Sequence, residues 1–116
     1  MNRNVYDEQR ALQLVPLLRS ITNEIQDRAQ AIDRLEHRLD SVTRTARSAS
    51  RTDALREIEG NLSENRRELR MAKRELERLG CALDEDHPLR VLIPGTNGEL
   101  DHGYAWTPTD ETVHAT

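Results

Sequence analysis

The sequence has little aromatic material and almost no cysteine. Its aromatic residues are Tyr6, Tyr104 and Trp106, there is no Phe, and aromatics make up only 3% of the 116 residues. This supply is too small for a thick globular core, but it suffices for helices that are buried along one stripe. The single cysteine, Cys81, excludes an intrachain disulfide framework.

Long hydrophobic runs are also missing. No apolar stretch approaches the ~20 residues that a helix needs to span a bilayer, and nothing resembles a signal peptide. We therefore expect a cytoplasmic, bacterial-type protein without a membrane partner. At 116 residues, the chain is expected to form one domain over 1–116.

Positive charge is scarce in the last third of the chain. Residues 84–116 carry one Arg against seven Asp or Glu, whereas residues 1–83 carry 16 Lys or Arg against 14 acids. An acidic segment repels phosphates, so no nucleic-acid partner is expected. The arginines near the centre of the chain (44, 47, 51 and 56) stand among Asp40, Asp53 and Glu57 and are read as a solvated helical tip. Nucleic-acid binding at this tip is the least favoured alternative.

Apolar residues recur at spacings of three and four along two stretches. The first runs from Ala11 to Ala46 and the second from Leu55 to Leu79. Sustained spacing of this kind is the heptad pattern of packed helices. It predicts two long helices, over 7–47 and 52–80, which fold back antiparallel through the small polar residues 47–53. The predicted class is mainly α, a coiled-coil-like helical hairpin.

Two polar residues interrupt these stripes, Arg28 in the first and Asn65 in the second. If the hairpin turns near residue 50, Arg28 falls opposite Ala72 and Asn65 opposite Leu35. Polar seam residues fix register and partner number at some loss of stability, so both are read as seam-specificity residues. The alternative is a buried functional polar site.

The start of the first predicted helix and the end of the second both carry helix-boundary signals. Asp7 is a candidate N-cap, and Gly80 directly follows the last periodic residue as a candidate stop. Pro16 lies inside the first helix, where proline removes a hydrogen bond. We expect Pro16 to bend the first turns so that they wrap around the element that follows Gly80.

After Gly80 the period changes from helical to alternating. Residues 89–93, 102–106 and 111–115 read as short strands, and Asn97-Gly98 suits a primed turn. A small antiparallel β-hairpin or meander is therefore expected over 89–115. An isolated hairpin is marginal in water, so it should pack over residues 11–21 and 76–83.

The opening "YDEQRALQLVPLL" resembles the start of a family of small uncharacterised bacterial proteins, known only as a domain of unknown function. The matches, in order, are Tyr6, Asp7, Ala11, Leu14, Val15, Pro16 and Leu18. Further matches are "ELERLG" at 75–80, "VLIP" at 91–94, Asn97-Gly98 and Trp106. The resemblance implies a helical hairpin followed by a short β-hairpin, and it implies no assigned chemistry.

The chain departs from this family at two places. Leu92 stands where members carry an acidic residue. Members end in a Phe-Trp-His stretch followed by a Gly-rich tail, and this chain has "VHAT" at 113–116 in that place. A role of those family residues would be lost or altered in this chain.

Few residues offer chemistry. His102, Tyr104 and Trp106 share one strand face and form either a small ligand patch or an apolar cap on the helices. The histidines and nearby carboxylates match no recognised metal-ligand spacing, so no cofactor and no metal site are expected. No catalytic motif occurs, and Cys81 lies beside acids that disfavour a thiolate.

The sequence therefore favours a non-enzymatic structural or protein-interaction module. Because a two-helix hairpin leaves one flank of its seam poorly covered, a homodimer is expected, and an unidentified protein partner is a further expectation. The alternative is a small-ligand or metal-binding protein, or a weak hydrolase, that uses His102, Tyr104, Trp106 and nearby carboxylates.

Overall fold

The computed structural model describes residues 4–45 and 48–116. Its elements are α1 (Glu8–Gln13), α2 (Val15–Thr45), α3 (Ser48–Arg78), β1 (Ala82–Leu83), β2 (Val91–Ile93), β3 (Tyr104–Trp106) and β4 (His114–Ala115). The predicted class, a mainly helical chain with a packed helical pair and a small antiparallel sheet, is confirmed. Among the described residues, no helix is long and apolar enough to cross a membrane.

The first predicted helix, 7–47, is divided at Leu14. Asp7 caps α1, since its Oδ1 accepts a hydrogen bond of 2.8 Å from the Arg10 amide. The Leu14 amide donates to the Ala11 carbonyl at 3.1 Å, a tighter turn than an α-helix makes. Pro16 follows two residues later and has no N–H to continue the α-helical ladder. The break between α1 and α2 therefore lies next to Pro16, where the sequence predicted a disturbance of the helix.

The connection between α2 and α3 is shorter than predicted. α3 begins at Ser48, so residues 48–51 extend the helix expected over 52–80, and Ser50 and Thr52 lie inside it rather than at its start. The small polar residues of 47–53 were predicted to form a loop, but Ala, Arg and Ser are also tolerated in helices. The remaining connection, 46–47, lies outside the described residues.

This shorter connection changes the register of the hairpin. The Arg28 guanidinium donates to the Asn65 Oδ1 at 3.1 Å, so the predicted pairing of Arg28 with Ala72 is wrong. Asn65 stands seven positions before Ala72, and the shift is therefore one heptad. Heptad stripes face each other equally well after such a shift, which is why the pattern alone could not set the alignment.

Gly80 ends α3 as predicted. Its φ is +79°, its amide donates to the Glu77 carbonyl at 2.9 Å, and the Cys81 amide donates to the Leu76 carbonyl at 2.9 Å. These two bonds define a Schellman motif, which requires the left-handed conformation that glycine adopts without strain. The chain leaves the helix in a fixed direction and enters β1 after one residue.

The sheet has four antiparallel strands in the order β1-β2-β3-β4. Val91 pairs with Trp106, and Ala105 pairs with His114. The prediction from the sequence missed β1, because a strand of two residues is too short to show an alternation of apolar and polar side chains. The β element therefore begins at Ala82 rather than at residue 89.

Two of the sheet's connections also differ from the prediction. Leu89 has a φ of 67°, the left-handed region that residues other than glycine rarely adopt, so β2 begins only at Val91. Gly98 has a φ of +80° but Asn97 does not have a positive φ, which excludes the primed turn with both residues at its centre. The connection between β2 and β3 is instead a ten-residue loop, 94–103.

The chain divides into two compact units. The sheet unit comprises the residues up to Asn23 together with Ala72–Thr116, and the hairpin unit comprises Glu24–Met71. The expectation of a single domain over 1–116 stays a prediction. The core of the sheet unit joins the first turns of α2 and the last turns of α3 to the sheet. Its fully buried large side chains include Leu18, Leu76, Val91, Ile93 and Trp106.

Candidate functional site

Trp106 lies at the centre of the sheet unit. It is fully buried at the end of β3, and its indole N–H donates to the Asp110 carbonyl at 3.1 Å. The polar atom of the indole is therefore satisfied within the fold, and the ring contributes apolar burial. Trp106 packs as a core residue.

Arg19 connects α2 to the turn that follows β3. Its guanidinium carbon lies 5.3 Å from the centroid of the Trp106 ring. Its two terminal nitrogens donate to the Pro108 carbonyl at 2.7 Å and to the Asp110 carbonyl at 3.2 Å. A planar guanidinium can stack on an aromatic ring while donating to acceptors at its edge, which lysine cannot do. Arg19 thus fastens the sheet to the helix.

The turn at 107–110 is closed by the Asp110 side chain. The Thr107 amide donates to the Asp110 Oδ2 at 2.9 Å, and the Asp110 amide donates to the Thr107 carbonyl at 2.9 Å. The bond from the Thr107 backbone holds the pKa of the Asp110 carboxyl below its usual value, and His114 contributes in the same direction. The His114 Nε2 lies 3.7 Å from the Asp110 Oδ1.

The other members of the predicted ligand patch lie in different surroundings. Tyr104 is half-buried on β3, and His102 is exposed in the preceding loop. No hydrogen bond joins these two residues to each other or to Trp106 within the described ranges. Trp106 is enclosed rather than open to a ligand, and a ligand-binding role for the three residues stays a prediction.

Arg28 and Asn65 meet in the hairpin unit. The Arg28 Nε also donates to the Glu24 Oε1 at 2.6 Å, and the Asn65 amide group donates to the Asn61 carbonyl at 2.8 Å. The bond to Glu24 is the main reason that the pKa of Arg28 is raised. The sequence identified both seam residues but placed them apart, and their role in specificity stays a prediction.

Cys81 borders a shallow cleft of about 280 Å³ in the sheet unit. The cleft is lined by Lys73, Leu76, Glu77, Cys81, Ala82 and Leu83. The thiol is buried, and burial raises its pKa to about 12. A thiol with so high a pKa is not a nucleophile near neutral pH.

Metal-ligating side chains are dispersed. In residues 4–45 and 48–116, no group of three or more His, Cys, Asp or Glu side chains lies close enough together to hold a metal ion. Every buried side-chain nitrogen or oxygen in the same ranges has a hydrogen-bond partner.

Sequence reasoning missed Arg19 and Asp110. Arg19 carried one signal, because it is a charged residue within the widest apolar stretch of the chain, directly after the buried Leu18. Asp110 offered only its position in a Thr-Pro-Thr-Asp turn. Neither signal identifies the residue that is contacted, because the two residues of each contact are about ninety positions apart in the sequence.

Comparison with known proteins gives one match. The model of DUF2203, described as an uncharacterized conserved protein, matches residues 4–115. No curated protein and no solved structure matches the chain. The match spans both helical stripes, the stop at Gly80 and the four strands. This chain therefore belongs to the DUF2203 family of uncharacterized conserved proteins.

Proposed function

We propose that this protein is a non-enzymatic protein-interaction module that assembles as a homodimer through its hairpin unit. The observation that carries the proposal is the incomplete burial of the apolar seam in that unit. Ile25, Ile58 and Leu62 are buried, but the other large apolar seam residues that the structure describes in this unit are only half-buried: Ile32, Leu35, Leu39, Val42, Leu55 and Leu69.

Half-buried seam residues favour a second copy because two helices cover only part of a heptad stripe. A second hairpin completes a four-helix arrangement and removes the remaining apolar area from water, which stabilises by roughly 25 cal/mol per Å². Charge within the hairpin unit agrees with this partner, since its basic and acidic residues are equal in number. Such a surface does not repel a copy of itself.

The candidate reactive groups support a role without catalysis. The Trp106 indole and the Asp110 carboxyl hold the fold together, and the Cys81 thiol is buried with a raised pKa. A catalytic site needs groups whose pKa values are brought toward the working pH and that face a cleft. The shifts at Asp110 and Cys81 both lead away from neutral pH.

The test is molar mass as a function of concentration. Light scattering over about a hundredfold range of protein concentration should give the dimer mass at the upper end and the monomer mass at the lower end. Leu39→Lys places a charge on the half-buried seam and should shift the equilibrium to monomer while the helical circular dichroism is retained. Arg38→Ala, at the exposed neighbouring position, is the matched control and should leave the dimer intact.

A wild-type chain that remains monomeric at the highest concentration would contradict the proposal. Equal loss of the dimer in Leu39→Lys and Arg38→Ala would contradict the assignment to the seam.

The cytoplasmic, bacterial-type setting belongs to the same proposal. It is supported by the single cysteine, which stays reduced in a cytoplasm and has no partner for a disulfide within the chain. Cell fractionation with an antibody against the folded protein tests the location, and recovery in a secreted or membrane fraction would contradict it.

A further inference from the structure

A basic face on α3 is a charged feature that takes no part in the contacts described above. Its members are Arg66, Arg67, Arg70, Lys73, Arg74 and Arg78, and all six are exposed. At about 100° per residue, they fall within an arc of about 140° that spans roughly 18 Å of helix. Glu77 is the one acid within that arc.

These six cations form no salt bridge with the part of the chain that the structure describes. Apart from Glu77, the acids in this stretch of α3 lie outside the arc, on the flank that carries Glu64, Glu68 and Glu75. Segregation of this kind creates a one-sided field, which an alternating pattern would cancel.

The complementary charge is present on the same chain. Residues 84–116 carry a net charge of −6. In the antiparallel order β1-β2-β3-β4, the β1–β2 and β3–β4 connections lie at the same end of the sheet. Exposed acids occupy both connections: Glu85 and Asp86 in the first and Glu111 in the second. We call this surface the acidic sheet end.

We propose that the basic face of α3 binds the acidic sheet end of a second copy, and that these reciprocal contacts orient the homodimer. The inference rests on the proposed function for the existence of the second copy, but it assigns a contact that the apolar seam does not supply. Charge selects this occupant, because a long polyanion would also meet the net charge of −4 of the whole chain. The half-exposed Met71, at the border of the arc, offers an apolar anchor beside the charges.

Reciprocity makes a charge-swap experiment decisive. The first variant, Arg70→Glu/Arg74→Glu, reverses two of the six cations and lowers the net charge of the face, with Glu77 included, from +5 to +1. The second variant, Glu85→Arg/Asp86→Arg, gives both surfaces the same positive sign. Each variant alone should dimerise at least about tenfold more weakly than wild type, because the first loses most of the attraction at both contacts and the second makes both contacts repulsive. An equimolar mixture should form a heterodimer, because one contact then keeps the wild-type charges and the other sets the introduced glutamates against the introduced arginines.

Sedimentation velocity with one variant labelled provides the measurement. Wild-type dimerisation should weaken as salt is raised from about 50 to 500 mM, since contacts between exposed charges are screened. Arg34→Glu/Arg38→Glu reverses two exposed charges on α2 and is the matched control. Arg70→Gln/Arg74→Gln removes charge without reversal and should be intermediate. Circular dichroism confirms that every variant is folded.

Each other outcome overturns a defined part of the argument. A wild-type dimer that both reversals leave unchanged overturns this inference but not the proposed function. A wild-type monomer overturns both. Absence of a heterodimer in the mixture overturns the reciprocal contact. If the reversal at Arg70 and Arg74 instead abolishes retention of a DNA duplex or of anionic vesicles while dimerisation persists, the face binds another polyanion.

Discussion

At the scale of single residues, the fold depends on polar groups that reach across long sequence separations. The Tyr6 hydroxyl donates to the Leu79 carbonyl at 2.8 Å, and Arg19 donates to two carbonyls beyond β3. Each bond ties the start of the chain to the end of a later element. A protein with few aromatic residues thus secures a thin core with a small number of directed contacts.

Arg19→Ala should destabilise the protein by about 2 kcal/mol. The substitution removes two hydrogen bonds from a charged donor and the stacking on Trp106, although partial exposure of the guanidinium reduces their contribution. Urea unfolding followed by Trp106 fluorescence measures the change.

Two further variants separate the role of Arg19 from general loss of charge. Arg19→Lys should recover less than half of the lost stability, because an ammonium group cannot stack and reach both carbonyls together. Arg34→Ala, at an exposed position of α2, should have little effect. If Arg19→Ala unfolds at the same urea concentration as wild type, the role assigned to Arg19 is wrong.

Cys81 should make the protein less stable at alkaline pH. Burial raises the pKa of its thiol from 9.0 to about 12 in the folded state. The folded thiol therefore keeps its proton where the unfolded thiol loses it. The stabilisation is complete below pH 9 and is lost as the pH rises toward 12, at up to about 1.4 kcal/mol per pH unit.

Cys81→Ala isolates this group from the other titrations. The stability difference between wild type and Cys81→Ala, from urea unfolding at several pH values, should narrow as the pH rises above 9. A thiol reagent should also react with native wild type far more slowly than with unfolded protein. A constant stability difference together with rapid labelling of the native thiol would refute the assignment.

At the scale of elements, the predictable features were those set by local chemistry. The heptad stripes, the Asp7 cap and the Gly80 stop each follow from neighbouring residues, and all three are present in the structure. The register of the hairpin does not follow from neighbouring residues, because a stripe with a seven-residue repeat matches its partner equally well after a shift of one repeat. The two-residue strand β1 is likewise set by its pairing with β2 rather than by its own pattern.

The candidate site was less predictable than the helices for a related reason. His102, Tyr104 and Trp106 were grouped by strand alternation, which gives the face of a side chain but not its burial. Trp106 is buried and is contacted by the distant Arg19 and by Asp110 of the 107–110 turn. Only the three-dimensional packing decides whether an aromatic residue is a ligand surface or part of the core.

Pro16→Ala should join α1 and α2 into one helix. The new amide at position 16 can donate to the Leu12 carbonyl, and alanine is the best helix former. NMR amide exchange should then show protection at position 16 and at its neighbours. Ser20→Ala, on the same helix beyond the interruption, is the control and should leave the pattern around Leu14 unchanged. An interruption at Leu14 that persists in Pro16→Ala would show that sheet packing, not proline, divides the helix.

At the scale of the whole molecule, the two units differ in how well they are buried. The sheet unit contains most of the fully buried side chains, whereas the hairpin unit has a seam that is largely half-buried. Local stability follows burial, because poorly buried elements open at a lower free energy. The two ends of α2 should therefore open separately.

Hydrogen exchange under native conditions tests this difference. Amides of α2 near Leu39 should exchange at least about tenfold faster than those near Leu18 in dilute protein. At concentrations where the proposed dimer forms, protection near Leu39 should rise, while that near Leu18 should change little. Uniform exchange along α2 would contradict the difference in local stability.

The shortness of the outer strands has a consequence for how this protein can assemble. β1 and β4 each contain two residues, and each has one side without a neighbouring strand. A long unpaired strand would offer a template on which further chains could add without limit, as in fibres. Because β1 and β4 leave so few backbone groups unpaired, further chains cannot readily add to the sheet as extra strands. We expect copies to associate instead through side chains, in contacts that can stop at a closed pair.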